Sequence, residues 1–183
     1  VHPAFILITT IHLLVTLALV LRHHPRWDRA TGVFLAGAYL VGFGAELFGI
    51  QTGLLFGDYT YGKVLGWKVW GTPLMIGVNW VIVAYGAGVT VNRIAGSLAP
   101  WLRALLAAAL MVALDWLIEP VAMAYGFWDW AGDTVPLRNY LGWFVVALPL
   151  LLFFMYRLGD VRNKVGVALF IWQVIFFSIL GLF

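Results

Sequence analysis

The stretch LDWLIEPVAMAYGFWDWAGDTVPLRN, residues 114–139, joins an apolar helical segment, two carboxylates and a tryptophan-rich connection. Asp115 and Glu119 are four residues apart, so they share one face of a helix, which we expect to end at Pro120. Acidic side chains inside an apolar segment are costly and mark functional sites by default. This stretch therefore predicts a membrane helix that carries the acids of an active site.

The rest of the chain is equally apolar. Of its 183 residues, 63% are hydrophobic and 10% are charged, and the mean hydropathy is +0.97. Soluble domains have about 25% charged residues. We therefore expect an integral membrane protein whose partners are membrane lipids and a lipophilic substrate. The net charge of +3 is small and no basic arm is present, so nucleic acid is not an expected partner.

Six segments are long and apolar enough to cross a hydrocarbon core of about 30 Å. They are predicted at Pro3–Leu21, Thr31–Ile50, Thr72–Val91, Trp101–Glu119, Tyr140–Tyr156 and Lys164–Leu182. No internal repeat is present, and no connection is long enough for a second domain. Residues 1–183 are therefore predicted to form a single, all-α integral membrane domain, a bundle of about six transmembrane helices.

The basic residues predict the orientation of this bundle. The first, third and fifth connections and the adjoining helix ends carry eight Lys and Arg residues, and the second and fourth carry three. Because basic loops stay in the cytoplasm, both termini are expected on the non-cytoplasmic side of the cell (inner) membrane. Glu46, Asp115, Glu119 and the two long aromatic connections would then lie on that same side.

These two long connections are rich in glycine and aromatic residues. Seven of the ten tryptophans fall in the proposed outer half. Tryptophans of an interfacial belt should occur at both membrane faces, so this asymmetry favours an aromatic-lined cavity beneath an aromatic-rich cap. Within the second connection, DYTYG (58–62) and WKVWG (67–71) alternate like strands and predict a short β-hairpin.

The acids are the candidate catalytic groups. Asp115 lies one turn deeper than Glu119, and a carboxyl group that stays neutral in an apolar pocket can donate a proton. Glu46, on another helix at similar depth, could face it as a second carboxylate. The alternative for Glu119 is an ion pair with Lys63, Lys68 or Arg138, or contact with interfacial water.

Two amides belong to the same region. Asn139 is predicted to cap the start of the fifth helix, with a role in holding a water or a carboxylate as the second interpretation. Asn79 lies inside a span, where a hydrogen bond between helices is the default role.

The sequence lacks the residues that several classes of enzyme chemistry require. The four histidines are dispersed, whereas a membrane di-iron oxygenase needs many of them on one face, and the absence of cysteine excludes thiolate sites. No nucleotide-binding glycine loop and no nucleophile elbow occurs. The remaining chemistry is acid–base catalysis on an apolar molecule, with no metal and no cofactor expected.

The motifs ELFGIQTGLLFGDYTY (46–61), DWLIEP (115–120), WDW (128–130) and PLRNYLGW (136–143), with Pro73 and Trp80, are similar to those of a known family. The chain resembles the membrane carotenoid 1,2-hydratases, of the bisanhydrobacterioruberin hydratase and gamma-carotene 1'-hydratase type. The resemblance covers residues 46–143. Glu119 departs from the family pattern, since many archaeal members are expected to have Asp at this position. The longer side chain moves the carboxyl group, so the resemblance does not identify which carotenoid is the substrate.

The resemblance implies a hydro-lyase that adds water to the terminal C1=C2 double bond of a psi end group. Protonation by a carboxyl group would give a tertiary carbocation, which water then captures. The expected acid is Asp115, and the expected base is Glu119 or Glu46. The expected substrate-binding residues are Tyr59, Tyr61, Trp80, Trp116, Trp128, Trp130, Asn139 and Trp143.

Two other functions remain open at this point. A carotenoid or isoprenoid cyclase or isomerase would begin with the same protonation but exclude water. A non-enzymatic lipid-binding or transport protein would use the acids as a proton relay, and it should carry polar residues along a path to both faces.

Overall fold

A computed structural model of the chain describes the backbone of residues 3–182 and the side chains of residues 8–182. Six α-helices account for most of this part of the chain. They are α1 (Pro3–Arg22), α2 (Arg29–Thr52), α3 (Leu74–Ile94), α4 (Pro100–Ala124), α5 (Leu137–Arg157) and α6 (Lys164–Leu180). The prediction of six helices is therefore confirmed.

Four of these helices, α2 to α5, are long and apolar enough to cross a membrane by length and composition. In the part of the chain with described side chains, α1 and α6 contribute shorter apolar helices, Ile8–Arg22 and Lys164–Leu180. The structure thus supports a helical membrane protein with four such spans. That α1 and α6 also cross the membrane stays a prediction.

Helix α3 is the central element of the bundle, because it packs against each of the other five helices. Small residues allow this close approach. A Cβ atom at Gly77 would lie 2.7 Å from the ring of Tyr39 on α2, and one at Gly88 would lie 2.7 Å from the ring of Phe154 on α5. The glycines of α3 therefore provide the space into which aromatic side chains of the neighbouring helices pack.

Four short strands lie in or next to the two aromatic-rich connections, α2–α3 and α4–α5. They are β1 (Tyr59–Tyr61), β2 (Lys68–Val69), β3 (Thr72–Pro73) and β4 (Trp128–Trp130). Strands β2 and β3 form a small hairpin, while β1 pairs antiparallel with β4 from the α4–α5 connection. We call the β1–β4 pair the Tyr–Trp ribbon.

The predicted pairing of DYTYG with WKVWG is therefore wrong, although both segments contain strands. Tyr59 lies opposite Trp130 and Tyr61 lies opposite Trp128. A strand pairs with the edge that its flanking helices bring close to it, and here α5 packs against both α2 and α4 and so brings their connections together. This long-range pairing joins the two connections at one end of the bundle.

Two helix boundaries also differ from the prediction, and both affect the site. Helix α4 continues through Pro120 to Ala124. Proline removes the hydrogen bond to the carbonyl four residues earlier, at Trp116, but membrane helices tolerate this when the following turn is packed. Val121 and Ala122 are buried. Helix α5 begins directly after Pro136, so Asn139 lies inside its first turn and is not the N-cap.

Candidate active site

Three buried carboxyl groups from two helices converge on one small cavity. Glu46 on α2 and Asp115 on α4 are each 2% exposed, and Glu119 on α4 is 3% exposed. The cavity has a volume of about 20 Å³. Its lining comprises Glu46, Tyr59, Tyr61, Ile76, Asn79, Asp115, Ile118, Glu119, Trp128, Trp130, Asn139 and Trp143.

Glu46 accepts three hydrogen bonds. The hydroxyls of Tyr59 and Tyr61 donate to its Oε2 at 2.5 and 2.8 Å, and the indole Nε1 of Trp80 donates to its Oε1 at 3.1 Å. Tyr59 and Tyr61 are two residues apart on β1, so the strand directs both side chains to the same face. Both oxygens of Glu46 are therefore held by neutral donors.

Glu119 is held from the other strand of the Tyr–Trp ribbon. The indole Nε1 atoms of Trp128 and Trp130 each donate to its Oε2 at 2.8 Å. These tryptophans are also two residues apart on their strand. The antiparallel register thus delivers two tyrosine hydroxyls to one carboxyl group and two indole N–H groups to another.

Asn139 connects Glu119 to Asp115. Its Nδ2 donates to Asp115 Oδ2 at 2.8 Å and to Glu119 Oε1 at 3.2 Å. Among the described residues, this is the only hydrogen bond that Asp115 accepts. The second interpretation of Asn139, that it holds a carboxylate, is therefore what the structure shows.

None of the three acids has a cationic partner within the part of the chain that the structure describes. There, the one ion pair is Arg26 with Asp28. Arg138 donates instead to the Gly53 carbonyl at 3.1 Å, and Lys68 donates to the Tyr61 carbonyl. The predicted alternative of an ion pair for Glu119 is wrong. Because buried acids without counter-ions are unfavourable in a membrane, this arrangement indicates chemistry rather than stability.

The tyrosines of the ribbon remain donors. Burial, together with the neighbouring carboxyl group of Glu46, raises the pKa of Tyr59 and of Tyr61 well above the ordinary value for tyrosine. Both phenols therefore keep their protons at any physiological pH, and they can donate to Glu46 permanently.

Aromatic rings form much of the wall. The indoles of Trp80 and Trp143 stack with their ring centroids 4.3 Å apart and their planes at 15°. The ring centroids of Tyr59 and Trp130 are 4.7 Å apart. Trp80 is fully buried behind this wall, in contact with Glu46. Faces of such rings attract cations through their quadrupoles.

The structure brings nine of the eleven predicted site residues to the cavity lining, and Trp80 lies directly behind it. Trp116 is not brought there. It is 62% exposed and points away from the bundle. Three lining residues were missed as site residues: Ile76, Asn79 and Ile118. For Asn79 the signal was present, since an amide inside an apolar span needs a partner, but its predicted bond between helices does not occur among the described residues.

The polar groups of the cavity can form hydrogen bonds with a water molecule or another proton donor. Within residues 8–182, no three His, Asp or Glu side chains are arranged to hold a metal. The volume of about 20 Å³ has room for about one water molecule. Carboxyl groups, fixed donors, aromatic faces and a water-sized space together suit proton transfer to an apolar substrate.

Comparisons with known proteins agree with this chemistry. A family model described as "Carotenoid biosynthesis protein" matches residues 2–182. The chain is also similar to bisanhydrobacterioruberin hydratase of Haloarcula japonica, with 32% identity over 148 residues. The aligned region is 78% of this chain and 50% of that protein, so the chain spans about half the length of the curated relative it matches. No solved structure matches the chain.

Proposed function

The chain belongs to the carotenoid biosynthesis protein family, and from this premise we propose that it is a carotenoid hydratase. It adds water across the terminal C1=C2 double bond of a psi end group, as a hydro-lyase without a cofactor. The observation that carries the proposal is the convergence of three buried carboxyl groups on a water-sized aromatic cavity, with no ion pair to any of them from residues 8–182. The hydratase name of the similar archaeal protein supports the same reaction.

Asp115 is the proton donor in this proposal. A carboxyl group that accepts several hydrogen bonds is stabilised as the anion. From the described residues, Glu46 and Glu119 each accept three such bonds, whereas Asp115 accepts only that of Asn139. Asp115 is therefore the member of the set best suited to carry a proton. It transfers this proton to C2, and the positive charge develops at the tertiary carbon C1.

The two glutamates and the aromatic rings stabilise that charge. Glu46 is held on both oxygens by Tyr59, Tyr61 and Trp80, which suits it to a fixed negative charge near the cation. Aromatic faces add about 2 kcal/mol or more each when they are desolvated. In a site that excludes bulk water, the low dielectric constant strengthens the interaction between these fixed charges and the cation.

Glu119 is the base. Water attacks C1, a carbon–oxygen bond forms, and one water O–H bond breaks as the proton passes to Glu119. Asn139 Nδ2 donates to one oxygen of Asp115 and to one oxygen of Glu119, so it bridges the two carboxyl groups. The proton can return to Asp115 between these bridged groups, and the enzyme is then ready for another turnover.

The substrate must enter from the bilayer, and the small cavity implies that side chains move when it does. Ile76 and Ile118 are the aliphatic residues of the lining, and Ile118 is only half-buried. We place the end group against these two residues, between α3 and α4. The long polyene would then extend along the lipid-facing surface.

The isotope pattern of the product tests the proposed reaction. Purified protein would be given lycopene in detergent, without oxygen and with chelator, in heavy-oxygen water and separately in deuterated water. We expect a product heavier by one water, with solvent oxygen at C1 and one deuterium at C2. Oxygen drawn from molecular oxygen would instead show an oxygenase, and a product of unchanged mass with a new ring would show a cyclase.

The orientation in the membrane is also a proposal, with both termini and the Tyr–Trp ribbon on the non-cytoplasmic side. The basic connections at the other end of the bundle support it. Because the chain has no cysteine, single cysteines can report it. Thr134→Cys, exposed beside the ribbon, should react with an impermeant thiol reagent in intact cells, whereas Asp160→Cys, exposed in the α5–α6 connection, should not. The reverse pattern would overturn this orientation.

A further inference from the structure

Asn79 differs from the other polar residues of the cavity in having no assigned role. It lies on α3, one turn after Ile76, and its side chain lines the cavity. All three carboxyl groups and both tyrosine hydroxyls of the lining make hydrogen bonds. The Asn79 amide makes none with the side chains and backbone that the structure describes. It is therefore an uncommitted polar group at the reaction site.

Among residues 8–182, Trp143 is the other lining residue whose polar side chain makes no hydrogen bond, whereas the Asn139 amide is already fixed by its bonds to Asp115 and Glu119. An indole can only donate a hydrogen bond, whereas an amide both donates and accepts. A nucleophilic water needs an acceptor for one of its hydrogens, so that a lone pair can point at the carbon. Between the side chains of Asn79 and Trp143, only that of Asn79 can supply the acceptor.

Size and polarity both fit a single water molecule beside Asn79. A cavity must have at least about 10–15 Å³ to hold a water, and this one has about 20 Å³. Asn79 is half-buried, so a water in the cavity can reach its amide. One bound water would give this amide a hydrogen-bond partner and would sit in the same cavity as the carboxyl groups.

We propose that Asn79 holds the water that captures the carbocation, a role that rests on the hydratase function proposed above. Asn79 Oδ1 accepts one hydrogen of the water. The second hydrogen points to Glu119, which takes it as the new carbon–oxygen bond forms. Asn79 thus acts after the protonation step, and it decides whether the cation becomes an alcohol or reverts to an alkene.

This timing gives Asn79 a signature that a purely structural residue would lack. A cation with no water in place can lose a proton again, which regenerates the alkene. In deuterated water, each such reversal can leave deuterium in the recovered carotenoid, because C2 has received a deuteron before it loses a proton. Loss of the bound water should therefore lower hydration while exchange continues.

The test uses Asn79→Leu, which has nearly the same shape and no polar atoms, and Asn79→Ser, which keeps a hydroxyl and leaves room for water. Thr90→Val on the same helix is the matched control, because Thr90 is buried with an unpaired hydroxyl. Each full-length protein would be given lycopene in deuterated water. Mass spectrometry would then measure alcohol formed and deuterium in the recovered carotenoid.

We expect Asn79→Leu to form alcohol about 10²-fold more slowly, the usual loss when a reacting group is misplaced, with deuterium exchange retained. Asn79→Ser should recover part of the hydration, and Thr90→Val should match the wild type in the ratio of exchange to hydration. Equal loss of exchange and hydration in Asn79→Leu, or unchanged hydration, would overturn this role. If the wild-type protein itself shows neither reaction, the hydratase proposal fails, and the role of Asn79 with it.

Discussion

Asp115→Asn is expected to lower the hydration rate by about 10² to 10⁴-fold, the contribution that a general acid typically makes. The substitution retains the shape of the side chain. It also retains an oxygen that can accept the hydrogen bond from Asn139, which is 2.8 Å long in the wild type. What it removes is the transferable proton. The fold should survive, because Asp115 takes part in no ion pair among the described residues.

The measurement is the rate of alcohol formation from lycopene, together with deuterium exchange into recovered lycopene. Both should fall in Asp115→Asn, in contrast to Asn79→Leu, because no cation forms. Asp160→Asn is the matched control, since Asp160 is exposed in the α5–α6 connection, at the opposite end of the bundle from the ribbon. Full activity in Asp115→Asn would remove it as the acid.

Gly42→Ala should destabilise the protein by about 1–3 kcal/mol, the usual range for an overpacked core. Gly42 lies on α2 one turn before Glu46. A Cβ atom there would lie 2.7 Å from Cδ2 of the Trp80 indole. Trp80 is fully buried and stacks on Trp143, so it has no room to withdraw. Any shift that it does make would also weaken its hydrogen bond to Glu46, and hydration should fall with stability.

The unfolding temperature of the purified protein in detergent would measure this effect, with the hydration rate as a second reading. Gly44→Ala is the matched control two residues along the same helix, because a Cβ atom there has no packing contact within 4 Å in the part of the chain that the structure describes. It should be neutral or slightly stabilising, as alanine is the better helix former. If Gly42→Ala and Gly44→Ala unfold at the same temperature, the close packing of α2 on Trp80 is not important for stability.

Much of the site could be predicted because its residues carry local signals. Asp115 and Glu119 are related by helical periodicity, and that relation holds wherever the helix packs. Acids and tryptophans inside a strongly apolar chain are rare enough to stand out. The strand-like alternation of Tyr59 and Tyr61 also follows from local sequence, and the structure places both residues in a strand.

Other features depend on contacts between distant parts of the chain. The partner of β1 is β4, about 70 residues later, and no local pattern distinguishes that edge from the nearer WKVWG segment. The exposure of Trp116 beside the buried Asp115 depends on which face of α4 meets its neighbours. An asparagine is equally suited to capping a helix and to bridging two acids, so the residue type of Asn139 does not distinguish these roles. The start of α5 at Leu137 places Asn139 inside the helix, where it bridges the acids.

The sequence by itself therefore determined that the chain is apolar and helical and which acids are its candidate catalytic groups, because hydropathy and residue type are local properties. Only the tertiary structure decided which donors serve which acid. Within residues 8–182, three hydrogen bonds to Glu46, three to Glu119 and one to Asp115 result from the β1–β4 register and from the packing of α2 on α3 and of α4 on α5. Hydrogen bonds require atoms to meet within about 3 Å. Long-range packing sets such distances, and it is the packing that makes three similar carboxyl groups chemically different.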